Sequence, residues 1–329
     1  MNKRVLVIGG AGYVGSQLVP KLISKGYLVT VFDTFWYGDK QFYDLPKDKL
    51  NLIKADMRDS KAIENSLLNI DCVIHLACIS NDPSFDLNPN LGKSINLESF
   101  APIVKAIKNS GVERFIYASS SSVYGIRDEE RVTEDLELQP LTDYSKFKAE
   151  CEKIMLNEFD TDQTITIARP ATVCGYSSRQ RFDLVVNILA AHAIVNNKIK
   201  VFGGSQFRPN LHIEDMVESY LAILKAESKL IHKEIFNIGS KNLTVEEIAL
   251  AVQKEINTDI PIEFSETNDF RSYRVDSSKI EKSIGFKPFR TINDAVRDLK
   301  NNFTKFNGAN PLNNPNYINI LKMKELNLG

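Results

Sequence analysis

The sequence predicts an α/β protein, a doubly wound parallel sheet with a smaller mixed α/β lobe, and three observations predict it. Short β-branched runs alternate with helical patterns as far as residue 170. Several of these runs are continuously apolar, as strands covered on both faces require. A glycine-rich turn closes the first run and opens a helix.

The strands are expected at Arg4–Ile8, Leu28–Asp33, Leu50–Asp56, Cys72–Ala77, Arg114–Ser119 and Thr164–Arg169. Between the first two, Leu18, Val19, Leu22 and Ile23 fall on one helical face. Pro20 inside that helix predicts a local kink. Beyond Pro170 the pattern loosens: a helix over Asp183–Asn196, a hairpin over Ile199–Arg208 turning at Gly203-Gly204, and a helix over Val245–Ile256. The tail from Phe303, rich in asparagine (Asn307, Asn310, Asn313, Asn314, Asn316), reads as a surface loop. Residues 1–170 therefore form one domain, to which part of about 210–240 returns, and 171–329 form mainly the smaller lobe and the tail.

Composition narrows the function. Of 329 residues, 43% are hydrophobic and 25% charged, and 41 basic against 42 acidic side chains leave a net charge of −1. A nucleic-acid or membrane surface wants a basic excess, so neither partner is expected. The apolar run after Met1-Asn2-Lys3-Arg4 stops at Gly9-Gly10, too short for a leader, and no later stretch approaches the ~20 apolar residues of a membrane span. Cys72, Cys78, Cys151 and Cys174 form no CxxC pair and the four histidines show no ligand spacing, which predicts reduced thiols, a cytoplasmic protein and no metal.

Gly9, Gly12 and Gly15 form a GxxGxxG array at the end of the first strand. Glycines there let the backbone turn tightly and approach a pyrophosphate, whose charge the helix N-terminus stabilises. The second strand ends in Asp33, 18 residues after Gly15. A carboxylate at that point accepts from both ribose hydroxyls of NAD and repels the extra phosphate of NADP; no basic residue follows among Thr34, Phe35 and Trp36, so NAD is the expected cofactor.

Tyr144 and Lys148 stand four apart on a helical segment, Asp143–Lys153, and share a face. A phenol with a pKa near ~10 is a poor base at neutral pH, and an adjacent ammonium favours its phenolate. Ser119-Ser120-Ser121-Ser122 follows the fifth strand, beyond whose carboxyl end ligands sit in such a sheet. A hydroxyl there can bond a reacting sugar oxygen beside the tyrosine.

With these pieces in order, the chain resembles the extended short-chain dehydrogenase/reductase family, the nucleotide-sugar epimerases and dehydratases, from Val5 to about residue 300. The resemblance is carried by GGAGYVG (Gly9–Gly15), HLA (His75–Ala77), ASSSSVYG (Ala118–Gly125), DYSKFK (Asp143–Lys148), RPATVCG (Arg169–Gly175) and RPNLHIEDM (Arg208–Met216). It implies a Rossmann-type sheet and a catalytic set of Ser120, Tyr144 and Lys148. It further implies that Tyr13, Val14, Ser119 and Arg169 help hold the cofactor, that Asp56 and Met57 border its adenine, and that Ala77 and Asn96 line it. Ser80, Asn81, Ser121 and Ser122 are implied at the substrate, and Arg208 on its diphosphate, where a bidentate cation fits.

Two departures bear on the reaction. Family dehydratases place Asp-Glu after the catalytic hydroxyl, where this chain has Ser121 and Ser122, so elimination of water lacks its acid and base. A second diphosphate arginine is Glu266 here, leaving Arg271 or Arg274 to replace it. SSRQRFDLVVN (Ser177–Asn187) looks like the corresponding stretch of GDP-heptose 4-dehydrogenase relatives and assigns Arg179, Arg181 and Asn187 to the substrate, although a salt-bridged helix start accounts for the same residues.

The expectation is an NAD-dependent nucleotide-sugar 4-epimerase resembling the UDP-glucose 4-epimerases, which oxidises C4 of a nucleoside-diphosphate sugar and reduces it again. A 4-dehydrogenase releasing the 4-keto sugar is the first alternative, a non-catalytic NAD-binding sensor the second, and a reductase outside sugar metabolism the third. The resemblance also implies a homodimer packed through helices, with which the apolar positions on Leu97–Ile107 and Phe147–Met155 are compatible, as they are with the chain's own core.

Overall fold

The computed structural model describes residues 3–160, 163–269, 271–306 and 310–329; Met1, Asn2 and Asn307 lie outside the described residues. Twelve strands are described: β1 (Arg4–Ile8), β2 (Leu28–Asp33), β3 (Leu50–Lys54), β4 (Cys72–His75), β5 (Arg114–Ala118), β6 (Thr164–Pro170), β7 (Thr172–Cys174), β8 (Ile199–Phe202), β9 (Phe207–His212), β10 (Glu234–Ile238), β11 (Asn242–Thr244) and β12 (Ile262–Ser265). Seven of them form one parallel sheet in the order β10-β6-β5-β4-β1-β2-β3. The order reverses between β1 and β4, and a crevice for ligands opens there, beyond the carboxyl ends of the strands.

The unbroken apolar run of β1 has its explanation in the two faces of this sheet. Val5 and Val7 pack with Leu18, Val19 and Leu22 of the helix Gly15–Ser24 and with Tyr220 of the helix Ile213–Lys225. Leu6 and Ile8 point the other way, toward Ile103, Val104 and Ile107 of the helix Phe100–Lys108 and Met155 of the helix Asp143–Glu158. The apolar positions of those last two helices thus serve the chain's own core. The helix Gly15–Ser24 continues through Pro20, which has no N–H for the Ser16 carbonyl; the Ser178 hydroxyl approaches that oxygen at 3.4 Å instead.

In the smaller lobe, Phe182 is buried among the helices Val185–Asn196, Val245–Ile256 and Ile292–Asn302. The expected hairpin over Ile199–Arg208 does not form. Gly203 and Gly204 do turn the chain, both at positive φ, but β8 runs parallel to β12 while β9 pairs with β7 and β11. Ile199 and Val201 are buried among the helices of this lobe, and that burial chooses the partner over proximity in sequence. The tail is no loose loop either: it forms the helix Asn319–Glu325, tied down by the Asn88 amide donating to the Leu328 carbonyl at 3.0 Å.

Candidate active site

The crevice at the switch point is a cavity of about 420 Å³ whose walls come from the turns after β1 to β6, from 179–184, from Arg208 and Arg271, and from the tail. At its floor the glycines divide their work. Gly9 has φ +83°, and a Cβ there would stand 2.4 Å from the Ala77 nitrogen; a Cβ on Gly15 would stand 2.3 Å from the Gly10 oxygen. Gly12 is different: a Cβ would meet only the Gly9 oxygen, at 3.4 Å, and would otherwise project into the cavity. The protein itself leaves that space free, which fits a dinucleotide backbone lying against the helix N-terminus. Asp33 closes this end, accepting from the Ala11 and Phe35 amides at 2.9 and 2.8 Å. Burial raises its pKa against those two bonds and the nearby Arg179. Tyr13, Val14, Asp56, Met57 and Ala77 also line the cavity.

At the other end stand the candidate catalytic groups. Thr142 caps the helix Asp143–Glu158 through a reciprocal pair with Ser145, which sets Tyr144 in its first turn. One turn on, buried Lys148 donates to the Ala118 carbonyl at 2.6 Å, its ammonium 4.9 Å from the Tyr117 ring centre and 5.9 Å from that of Tyr144. Ser120 accepts from the Ser122 amide and hydroxyl at 3.1 and 2.9 Å. Burial raises the pKa of Tyr144 above that of a free phenol, and the nearby Cys78 thiol adds to the rise; the Ser120 hydroxyl and Arg181 oppose it. An adjacent ammonium favours the phenolate, but in this chain desolvation prevails and holds the phenol above its ordinary value.

Ser80, Asn81, Ser121, Ser122, Arg179, Arg181, Arg208 and Arg271 all reach the cavity. Arg271 lies between Asp269 and Asp82, with N–O distances of 2.8 and 2.7 Å, and Arg208 reaches Asp269 at 3.0 Å. Arg181 holds Asp183 at 2.9 Å and donates to the Ser80 hydroxyl at 3.0 Å.

Four expected contacts are absent from the walls. Arg169 is buried with Glu152 at 2.6 Å and with the Tyr124 hydroxyl at 2.8 Å; Glu152 also takes the Ser119 hydroxyl, so this pair fastens the tyrosine's helix to the sheet. Asn187 accepts from the Gly175 amide and donates to the Tyr13 hydroxyl and the Arg181 carbonyl, holding loops and not ligand. Arg274 donates to the Asp128 carbonyl and stacks on Phe207. Asn96 pairs with both backbone groups of Ile79, shaping the loop that carries Ser80. Conversely, Tyr37, Cys78, Tyr273, Asn319 and Met323 line the cavity without having been anticipated. Tyr273 bonds Ser121 at 3.3 Å across more than a hundred residues of chain, so no local pattern announces it.

The family model described as the NAD dependent epimerase/dehydratase family matches residues 5–239. A UDP-glucose 4-epimerase of Lactobacillus helveticus is 30% identical over 309 residues, covering 87% of this chain and 92% of that one. Among solved structures, MoeE5 in complex with UDP-glucuronic acid and NAD is 26% identical with a TM-score of 0.78, over 90% of this chain and 97% of that one. The UDP-glucuronic acid 4-epimerase from Bacillus cereus, in complex with UDP-glucuronic acid and NAD, has a TM-score of 0.83 over 92% of this chain and 100% of that one; at 24% identity it shows the fold alone.

Proposed function

This chain belongs to the NAD dependent epimerase/dehydratase family, and we propose that within it the protein is a nucleotide-sugar 4-epimerase. The observation that carries the reading is the convergence of Ser120, Tyr144 and Lys148 on one wall of a cavity floored by the glycine turn. NAD, when bound, would supply the acceptor for the C4 hydride and its donor on re-reduction, and its oxidised ring would add a positive charge that favours a phenolate. Tyr144 takes the proton of the C4 hydroxyl, and Ser120 orients that oxygen. Tyr144 would return the proton to the same oxygen when C4 is reduced on its other face. Lys148, fixed by the Ala118 carbonyl, keeps a positive charge near the phenol.

Arg208 and Arg271 are the proposed diphosphate anchors, and Arg181, Ser80, Asn81, Ser121 and Ser122 the sugar contacts. Gly9, Gly12, Tyr13, Val14, Gly15, Asp33, Asp56, Met57 and Ala77 are proposed to hold NAD. Hydroxyls at Ser121 and Ser122 leave elimination of water without its acid and base, which favours epimerisation over dehydration. The cytoplasm is the proposed location, since buried Cys72, Cys151 and Cys174 are free thiols. A homodimer belongs to the reading through the family resemblance; sedimentation velocity at micromolar concentration checks it.

The test is product identity. The NAD-loaded protein is incubated with UDP-glucose, UDP-glucuronic acid and their GDP, dTDP and CDP counterparts, and products are read by NMR. Conversion to the 4-epimer without accumulating NADH is expected for one of them. Stoichiometric NADH with a released 4-ketone would replace the epimerase by the dehydrogenase.

A further inference from the structure

The two arginines of the stretch after β7 have different partners. Arg181 reaches the Ser80 hydroxyl and opposes the rise in the pKa of Tyr144, at the catalytic end. The Arg179 backbone rests on the helix that the glycine turn opens, and its charge opposes the rise in the pKa of Asp33. Ser177 donates to the Tyr13 carbonyl at 2.8 Å and bonds the Ser16 hydroxyl at 2.6 Å, and the Arg179 amide donates to that same hydroxyl at 3.3 Å. The stretch is thereby seated on the first turn of the helix Gly15–Ser24.

The Arg179 guanidinium carbon then lies over Tyr37, 3.4 Å from the ring centre, and the group donates through Nη2 to the Asn319 side-chain oxygen at 2.6 Å. Asn319 also accepts from the Tyr37 hydroxyl at 3.0 Å and donates to Ser80 at 3.1 Å. A tail residue thus fixes the arginine's rotamer from two sides. Arg179 is 5% exposed, lines the cavity, and its Nε finds no hydrogen-bond partner among the described residues. Burial draws its pKa down to about 10, as befits a cation short of a counter-charge. A buried guanidinium with an unmade bond, stacked in place beside a helix N-terminus, calls for an anion there.

We propose that Arg179 binds the diphosphate of the cofactor, not that of the nucleotide sugar, and that Asn319 of the tail is its positioning residue. The smaller lobe and the tail would then take part in retaining NAD, which residues at the ends of β1 to β4 otherwise account for. This rests on NAD lying along the glycine turn, as the proposed function has it.

Full-length wild type, Arg179→Gln, Arg179→Lys and Asn319→Ala are titrated calorimetrically with NAD, ADP-ribose, adenosine and UDP. The expected result for Arg179→Gln is a loss on the order of 10- to 100-fold for NAD and ADP-ribose, with adenosine and UDP within about twofold. Arg179→Lys keeps the charge without the planar fork and should lose several-fold on the same two ligands; Asn319→Ala should lose less, again on those two alone. These two variants carry the test should the glutamine variant fail to fold. A loss confined to UDP overturns the inference by moving Arg179 to the substrate's diphosphate, and unchanged NAD and ADP-ribose affinities overturn it outright. Failure of the wild type to bind ADP-ribose would bring down the cofactor site itself as well, an outcome distinct from the other two.

Discussion

The two ends of the cavity are built in different ways. At the glycine turn the walls are, Arg179 apart, mostly backbone: Gly9 and Gly15 are required because a Cβ would strike neighbouring main chain, and Asp33 is held by two amides close to it in the fold. At the far end the walls are long side chains from distant segments, Arg181, Arg208 and Arg271, each already paired with a carboxylate. A backbone cradle tolerates no change of residue but needs no partner. A side-chain cage is adjustable, and its arginines must exchange Asp269 or Asp82 for an incoming anion. The contrast suggests one invariant ligand and one that differs among relatives, a common cofactor against a variable nucleotide sugar.

The sharpest break should come at the far end, at Tyr144. Tyr144→Phe is expected to lower kcat by roughly 10²- to 10⁴-fold while NAD still binds, since only the proton transfer is lost. In the cofactor-free chain the phenol should titrate above the ordinary value near ~10, followed by phenolate absorbance, because burial disfavours the anion. Turnover should accordingly rise with pH through the range in which the loaded site forms phenolate.

Gly12→Val tests the cradle. Its side chain would project into the cavity, so NAD affinity should fall about 10- to 100-fold, matching the ~1–3 kcal/mol of an overpacked site, with the melting temperature of the cofactor-free chain little changed. Were NAD to bind as before, the cofactor would lie elsewhere. Arg208→Gln tests the cage: calorimetry should show UDP-sugar or UDP affinity down about 10-fold and NAD affinity unmoved.

The smallest effect concerns Asp269. Desolvation pushes its carboxyl up, but Arg271, with Arg208, holds it down at about 2, below the ordinary 3.8. A depressed carboxylate stabilises the fold fully above its unfolded value and loses that contribution as pH falls from about 4 toward 2. The side chain is 40% exposed, so screening leaves less than ~1 kcal/mol. Denaturant midpoints of wild type and Asp269→Asn should therefore differ slightly at neutral pH and converge toward pH 2, while the variant binds UDP at least as well.

Legibility in the sequence followed the same division. The glycine turn, Asp33, the serine run and the Tyr144–Lys148 pair lie where motif spacing places them, because each depends on residues adjacent in a strand, turn or helix. Arg169 was not to be placed from its motif, because the residues beside β6 say nothing of Glu152, whose carboxylate takes it up in the core. Asn187 and Arg274 are similar: one bonds Gly175 and Tyr13, the other Asp128, partners that only folding supplies. The hairpin at Gly203-Gly204 was a sound turn joined to the wrong pairing.

The amino-acid sequence by itself determined the parallel sheet and the cofactor turn, since apolar runs, helix faces and glycine spacing act over a few residues of chain. Tertiary structure alone decided which arginines reach the cavity, what each is paired with, and that Asn319, far along the tail, meets Tyr37, Ser80 and Arg179. The reason is physical. A long polar side chain goes where its charge is best compensated, and the groups that compensate it are brought near only when distant segments pack.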